Sequence, residues 1–250
     1  MAEPGDRVLS GGRISTYRHP LWVRLTHWTN VLAVAVMLTS GMQIYNAHPM
    51  LNWGSQSNWA DPWFAFGRFP SWLTLPPYQD LATGRRWHLF FAWVFLINGL
   101  IYVGLNLFRP KLWPTRRGLA GFWGSVKSHA RLHFPKGEEA RRYNILQQLT
   151  YLGIVLLVLP GLILTGLTMS PGVNAAAPWM LDLFGGRQSA RTVHFLSAAL
   201  LVGFIVLHVA LVFLAGFWNE IRSMITGRYT IDPDDPPPMP AEPDPAREPA

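Results

Sequence analysis

The sequence predicts an all-α integral membrane protein, a four-helix bundle, on three observations. Four apolar stretches are long enough to span a bilayer, the basic residues fall unevenly between them, and histidines are set into or at the ends of the same stretches. The stretches are Leu25 to Tyr45, Leu89 to Leu107, Leu149 to Leu167 and Val193 to Phe217. A helix rises ~1.5 Å per residue, so about 20 apolar residues cross ~30 Å of hydrocarbon, and each stretch meets that length. A soluble core helix of this length would carry a polar face, which these lack. The first stretch begins only at Leu25, is too long for an h-region and has no small-x-small exit, so it is read as a span and not as a cleaved signal peptide.

The charges orient the spans. The connection between the second and third holds Arg109, Lys111, Arg116, Arg117, Lys127, Arg131, Lys136, Arg141 and Arg142, and the N-terminal segment adds Arg7, Arg13, Arg18 and Arg24. The other two connections, Asn46 to Trp87 and Thr168 to Thr192, hold only Arg68, Arg85, Arg86, Arg187 and Arg191. By the positive-inside rule both termini and the central connection face the cytoplasm, and the chain is expected in a bacterial inner membrane, multi-pass, with lipid around it. The formal charge of +7 follows this topology, so no nucleic-acid partner is expected.

Three segments are expected: residues 1–20 as a cytoplasmic N-terminal segment, 21–230 as the four-helix domain, and 231–250 as a disordered tail of Pro and acidic residues. The long connection between spans one and two, residues 46–87, is rich in Trp53, Trp59, Trp63, Trp72, Pro62, Pro70, Pro76 and Pro77. Loops of that length are usually functional, and this periplasmic one is expected to act as a docking platform for a partner or as a lid over the bundle. Residues 174–184 are expected to form a short interfacial helix, and 119–134 to lie along the headgroups on the inner side.

With no cysteine, the chain has no disulfide, no thiolate-held iron–sulfur cluster and no C-x-x-C-H site for covalent haem. A redox centre here must use other ligands. Twelve Trp and fourteen Phe suit interfacial belts and packing around a large planar cofactor.

Four of the eight histidines lie within or at the ends of the spans: His27, His88, His194 and His208. Ionisable groups inside a membrane are costly and mark functional sites. His27 opens span one near the inner face, and His88 opens span two near the outer face. Span four carries His194 near the outer face and His208 about two-thirds of the way inward. Fourteen residues separate those two, which at ~100° per residue is ~40° short of four turns, so they share one face with ~21 Å between them. One pairing uses all four: His88 with His194 in the outer half and His27 with His208 in the inner half. Each pair can give two axial imidazoles to a haem iron, so two haem b groups are expected, with no open coordination position. Zinc wants three or four ligands converging on one point, which two separated pairs do not provide.

Arg24, Arg85 and Arg191 each precede one of these histidines by three residues, hence on the same helix face. Arg85 and Arg191 run against the charge bias of the outer side, and haem propionates would explain them through charge-assisted hydrogen bonds. Interfacial snorkelling is the plainer reading of Arg24. Gly41, Gly99, Gly104, Gly166 and Gly203 make room either for a porphyrin or for close helix approach.

These residues resemble bacterial four-helix di-haem cytochrome b subunits. The resemblance is nearest to the thiosulfate-reductase-type cytochrome b subunit, and extends to the formate dehydrogenase gamma subunit and the nickel–iron hydrogenase b-type cytochrome. It rests on Arg24-Leu-Thr-His27-Trp28-Thr-Asn30, on Trp87-His88, on the His194 to His208 spacing, and on Tyr143-Asn144-Ile-Leu-Gln147 before span three, with Tyr45-Asn46-Ala47-His48-Pro49 also similar. It covers roughly residues 17 to 230. It implies that Asn144, and less directly Gln147, help bind a quinone near the cytoplasmic face, although Asn144 is also a natural helix cap. It further implies an electron-transfer subunit working between the quinone pool and a periplasmic molybdopterin or iron–sulfur oxidoreductase, not a catalyst by itself. A stand-alone haem reductase and a haem-free anchor or transporter are the rival expectations.

Overall fold

The computed structural model describes residues 6–106, 119, 121–130 and 145–232. Asn144, most of the basic connection between spans two and three, and the tail beyond residue 232 lie outside the described residues. The fold is all-α, a membrane bundle of four helices long and apolar enough to span a bilayer. These are α1 (Leu21–Asn46), α2 (Leu81–Asn106), α4 (Ile145–Met169) and α6 (Arg187–Thr226), with a short α3 (Phe122–Ala130) and α5 (Pro171–Ala176) between them. Each span starts earlier than the apolar stretch that announces it, because helices continue into the polar interface where hydropathy falls but backbone bonding persists. The segment expected as one interfacial helix at 174–184 is instead α5 followed by a 3₁₀ turn, Pro178–Phe184.

Two breaks have local causes. In α4, Ile154–Val158 winds as a π turn just ahead of Pro160. Proline lacks an N–H and its ring crowds the carbonyl four residues earlier, so the preceding turn widens. In α6, Gly216 takes φ 114°, a conformation nearly closed to other residues.

The chain divides into two compact units, one of Met1–Arg24, Lys111–Leu149 and His208–Ala250, the other of Leu25–Pro110 and Thr150–Leu207. The first contains a feature that the sequence did not announce, an antiparallel three-stranded sheet of β1 (Arg7–Val8), β2 (Ile14–Tyr17) and β3 (Arg228–Ile231) in that order. Ile14 pairs with Ile231 and Tyr17 with Arg228, so the chain is ordered one residue into the stretch that composition assigns to the tail. Asn219 clamps β3 to α6 by donating to the Thr230 carbonyl and accepting from its amide. Arg18 bonds Glu220 at 3.1 Å and lies over the Tyr229 ring.

In the second unit the 46–80 segment is tied down closely. Asn46 makes two bonds to the Phe69 backbone, Leu51 bridges Phe64, and the Gly54 carbonyl receives the first free amides of α6, Gln188 and Ser189. Those amides have no partner inside their own helix, so a loop carbonyl satisfies them. Tyr45, Phe66, Phe69 and Phe195 stack into one aromatic cluster beneath the loop, while Trp53, Trp59, Trp63 and Trp72 stay exposed.

Between α1 and α2, buried Asn98 donates to the Thr26 carbonyl at 2.8 Å and to Asn30 Oδ1 at 2.7 Å. Such bonds hold membrane helices together with about 0.6 to 1.7 kcal/mol each. Asn98→Leu is therefore expected to destabilise the detergent-solubilised protein by about 1 kcal/mol, read as the midpoint of its SDS-induced unfolding; an unchanged midpoint would contradict that contact.

Candidate functional site

His88 on α2 and His194 on α6 face each other within the second unit, their ring centroids 6.1 Å apart and their planes at 63°. Each ring is held in the same way by the helix that precedes its own. The Nδ1–H of His88 donates to the Met37 carbonyl at 3.0 Å, with the Ser40 hydroxyl oxygen at 3.3 Å. The Nδ1–H of His194 donates to the Leu162 carbonyl at 3.1 Å, with the Thr165 hydroxyl oxygen at 3.0 Å. Both hydroxyls spend their own hydrogen on a backbone carbonyl one turn back, Val36 for Ser40 and Gly161 for Thr165, each at 2.6 Å. They therefore face the imidazoles as acceptors. A carbonyl can only accept, so Nδ1 carries the hydrogen and Nε2 keeps the free lone pair on both rings.

The approach needs glycine. A Cβ on Gly41 would stand 3.4 Å from Cε1 of His88, and one on Gly166 would stand 3.4 Å from Cε1 of His194. The pattern repeats in sequence: carbonyl, hydroxyl and glycine come from Met37, Ser40 and Gly41 on α1, and from Leu162, Thr165 and Gly166 on α4. Ser40 and Thr165 are completely buried. Of the other glycines read as room for a porphyrin, Gly99, Gly104 and Gly203 have open space beside them among the described residues.

Two imidazoles bound to one metal at ~2.0 Å, with each ring centre ~1 Å behind its nitrogen, have centroids about 6 Å apart. The observed spacing meets that condition, and so does the free nitrogen on each ring. Among the described residues no group of three or more His, Cys, Asp or Glu gathers into a metal site; the pair offers two imidazole donors.

The remaining predicted residues are placed as follows. His27, on α1, stands edge-on to Trp28 at 5.4 Å. It belongs to the second unit, and half-buried His208 to the first. Arg24 donates to the Ile225 carbonyl, and its buried Nε has no hydrogen-bond partner among the described residues. Arg191 donates to the His48 carbonyl. Arg85 is exposed on α2 and Gln147 half-buried on α4. Taken singly, Ser40, Thr165, Asn98 and Asn52 carry no motif that marks them in the sequence. The repeated hydroxyl-glycine pair on spans one and three was the signal available for the first two.

The fold and this pocket define a class: a multi-pass membrane protein with two facing histidines buried between its helices. The family model of prokaryotic cytochrome b561 matches residues 18–227, and the chain belongs to that family of membrane haem-b proteins of electron transfer. It is also 34% identical over 222 residues, 84% of this chain and 96% of the relative, to the putative protein-methionine-sulfoxide reductase subunit YedZ1 of Azospira oryzae. No solved structure matches.

Proposed function

We propose that the chain is the electron-transfer subunit of a membrane oxidoreductase. It holds two haem b groups, an outer one between His88 and His194 and an inner one between His27 and His208, and connects the quinone pool to an oxidoreductase on the periplasmic side of the inner membrane. The observation that carries this reading is the pair of imidazoles at 6.1 Å with both Nε2 lone pairs free. The inner pair is supported by the spacing of His194 and His208 on α6, which brings both to one helix face.

Haem held by two imidazoles supplies reversible one-electron chemistry at an iron with no open position for oxygen. The protein's contribution is to hold each ring. A hydrogen bond from Nδ1–H to a carbonyl fixes the tautomer and makes Nε2 a better donor to iron. Arg24, Arg85 and Arg191 are assigned to propionates, and Asn144 with Gln147 to a quinone carbonyl at the start of α4, where an amide offers both a donor and an acceptor. On this reading the substrate is turned over on the partner. The relative's description as a reductase subunit favours electrons leaving toward that partner, which would dock on the 46–80 segment between α1 and α2, where four tryptophans are 47% to 78% exposed.

Purified protein is expected to give two haem b per chain in the pyridine haemochrome assay. His194→Ala removes mainly the outer haem and His208→Ala mainly the inner one; retention of both in either variant would break the pairing. Asn144→Ala leaves both haem spectra intact and slows reduction by quinol, whereas unchanged kinetics would return Asn144 to helix capping.

A further inference from the structure

Several polar groups at the loop end of the second unit have hydrogen-bonding capacity left unused among the described residues. Tyr45 is 5% exposed and Asn52 is 4% exposed, yet the Tyr45 hydroxyl, which the Phe66 backbone approaches as a donor, and Asn52 Nδ2 find no acceptor among the described residues. The buried Nδ1 of His48 lacks one too. Arg191 reaches the same place, donating one guanidinium N–H to the His48 carbonyl, and its charge acts on both His48 and Tyr45. The neighbouring Thr192 hydroxyl donates to the Asn52 carbonyl at 2.7 Å.

All four groups can donate. Burial first, then the Arg191 charge, holds the His48 pKa below its ordinary value, so this ring is neutral at neutral pH. Its Nε2 is 3.0 Å from Ser57 Oγ; with Nε2 accepting from that hydroxyl, Nδ1 bears the hydrogen. A hydroxyl, an amide N–H and an imidazole N–H without an acceptor, beside a guanidinium that already donates to the His48 carbonyl and has further N–H groups to give, call for a group that only accepts and carries negative charge, which is a carboxylate.

We infer that Tyr45, His48, Asn52 and Arg191 form a carboxylate-binding site whose occupant is a propionate of the haem held by His88 and His194. The inference rests on the haem reading above, and its occupant follows from position. Arg191 lies three residues before His194 on α6, and Tyr45 lies four residues beyond Gly41, which abuts the His88 ring. Residues so spaced share a helix face, so the site sits one turn beyond the histidine pair on both helices. Arg191 is legible for this role in the sequence; Tyr45, His48 and Asn52 emerge only from the fold.

Redox titration of the detergent-purified full chain, following each haem separately, tests the site. Arg191→Gln and Tyr45→Phe are each expected to lower the midpoint potential of the haem that His194→Ala removes and to leave the other unmoved, because a lost cation or donor destabilises the electron-rich state. Tyr45→Phe deletes a single oxygen and keeps the ring that stacks on Phe66 at 5.0 Å, so it serves should Arg191→Gln assemble poorly. Loading with haem dimethyl ester, whose propionates are blocked, is expected to erase the difference between wild type and Tyr45→Phe. Unmoved potentials in both variants, or a Tyr45→Phe shift that persists with the ester, would overturn the site. A preparation without any haem would overturn the electron-transfer reading itself and this occupant with it.

Discussion

An imidazole N–H inside a lipid bilayer has no water to meet, and the way this protein answers that demand organises its second unit. A helix carbonyl already bonded within its own helix keeps a second lone pair. Met37 and Leu162 each give that lone pair to a histidine of the next helix. The ring comes that near only because the residue four positions on is glycine, at Gly41 and Gly166. Once Nδ1 is committed, Nε2 on each ring is a fixed lone pair, and the two rings stand at the spacing that one metal between them requires.

The surroundings follow from keeping that arrangement steady. Asn98 joins α2 to α1 through Thr26 and Asn30, which stabilises the pair of helices that holds His88. The 46–80 segment is anchored to the first amides of α6 through Gly54, close in sequence to Arg191 and His194. Its inner aromatic layer packs on Tyr45 and Phe195, while its outer tryptophans remain exposed. The loop thus has a packed aromatic layer and an exposed one.

Much of this was legible in the residues. The four spans follow from length and hydropathy, and three of their histidines with an arginine at i−3 mark positions where ordinary lipid-facing sequence would place neither. What was hidden is what depends on distant partners. β2 and β3 are four residues each and lie more than 200 residues apart, so no local pattern reveals the sheet. Ser40 and Thr165 read as ordinary small residues of a membrane helix until the ring they face is known. Tyr45 reads as the last apolar residue of a span and His48 and Asn52 as loop residues, and only donors left without an acceptor among the described residues give them a purpose. The π turn before Pro160 was readable from the proline alone, whereas the break at Gly216 was not, since glycine is common in membrane helices and most remain helical.

The central claim is that His88 and His194 face one another across a single iron with their ring planes strongly crossed. Low-temperature electron paramagnetic resonance of the oxidised, purified protein addresses it directly, because the ferric low-spin signal reports both axial imidazoles and the angle between them. With planes at 63°, the account predicts a highly anisotropic low-spin signal that disappears in His194→Ala. A high-spin ferric spectrum in the unaltered protein, or a His194→Ala variant that keeps the whole low-spin signal of the unaltered protein, would contradict it.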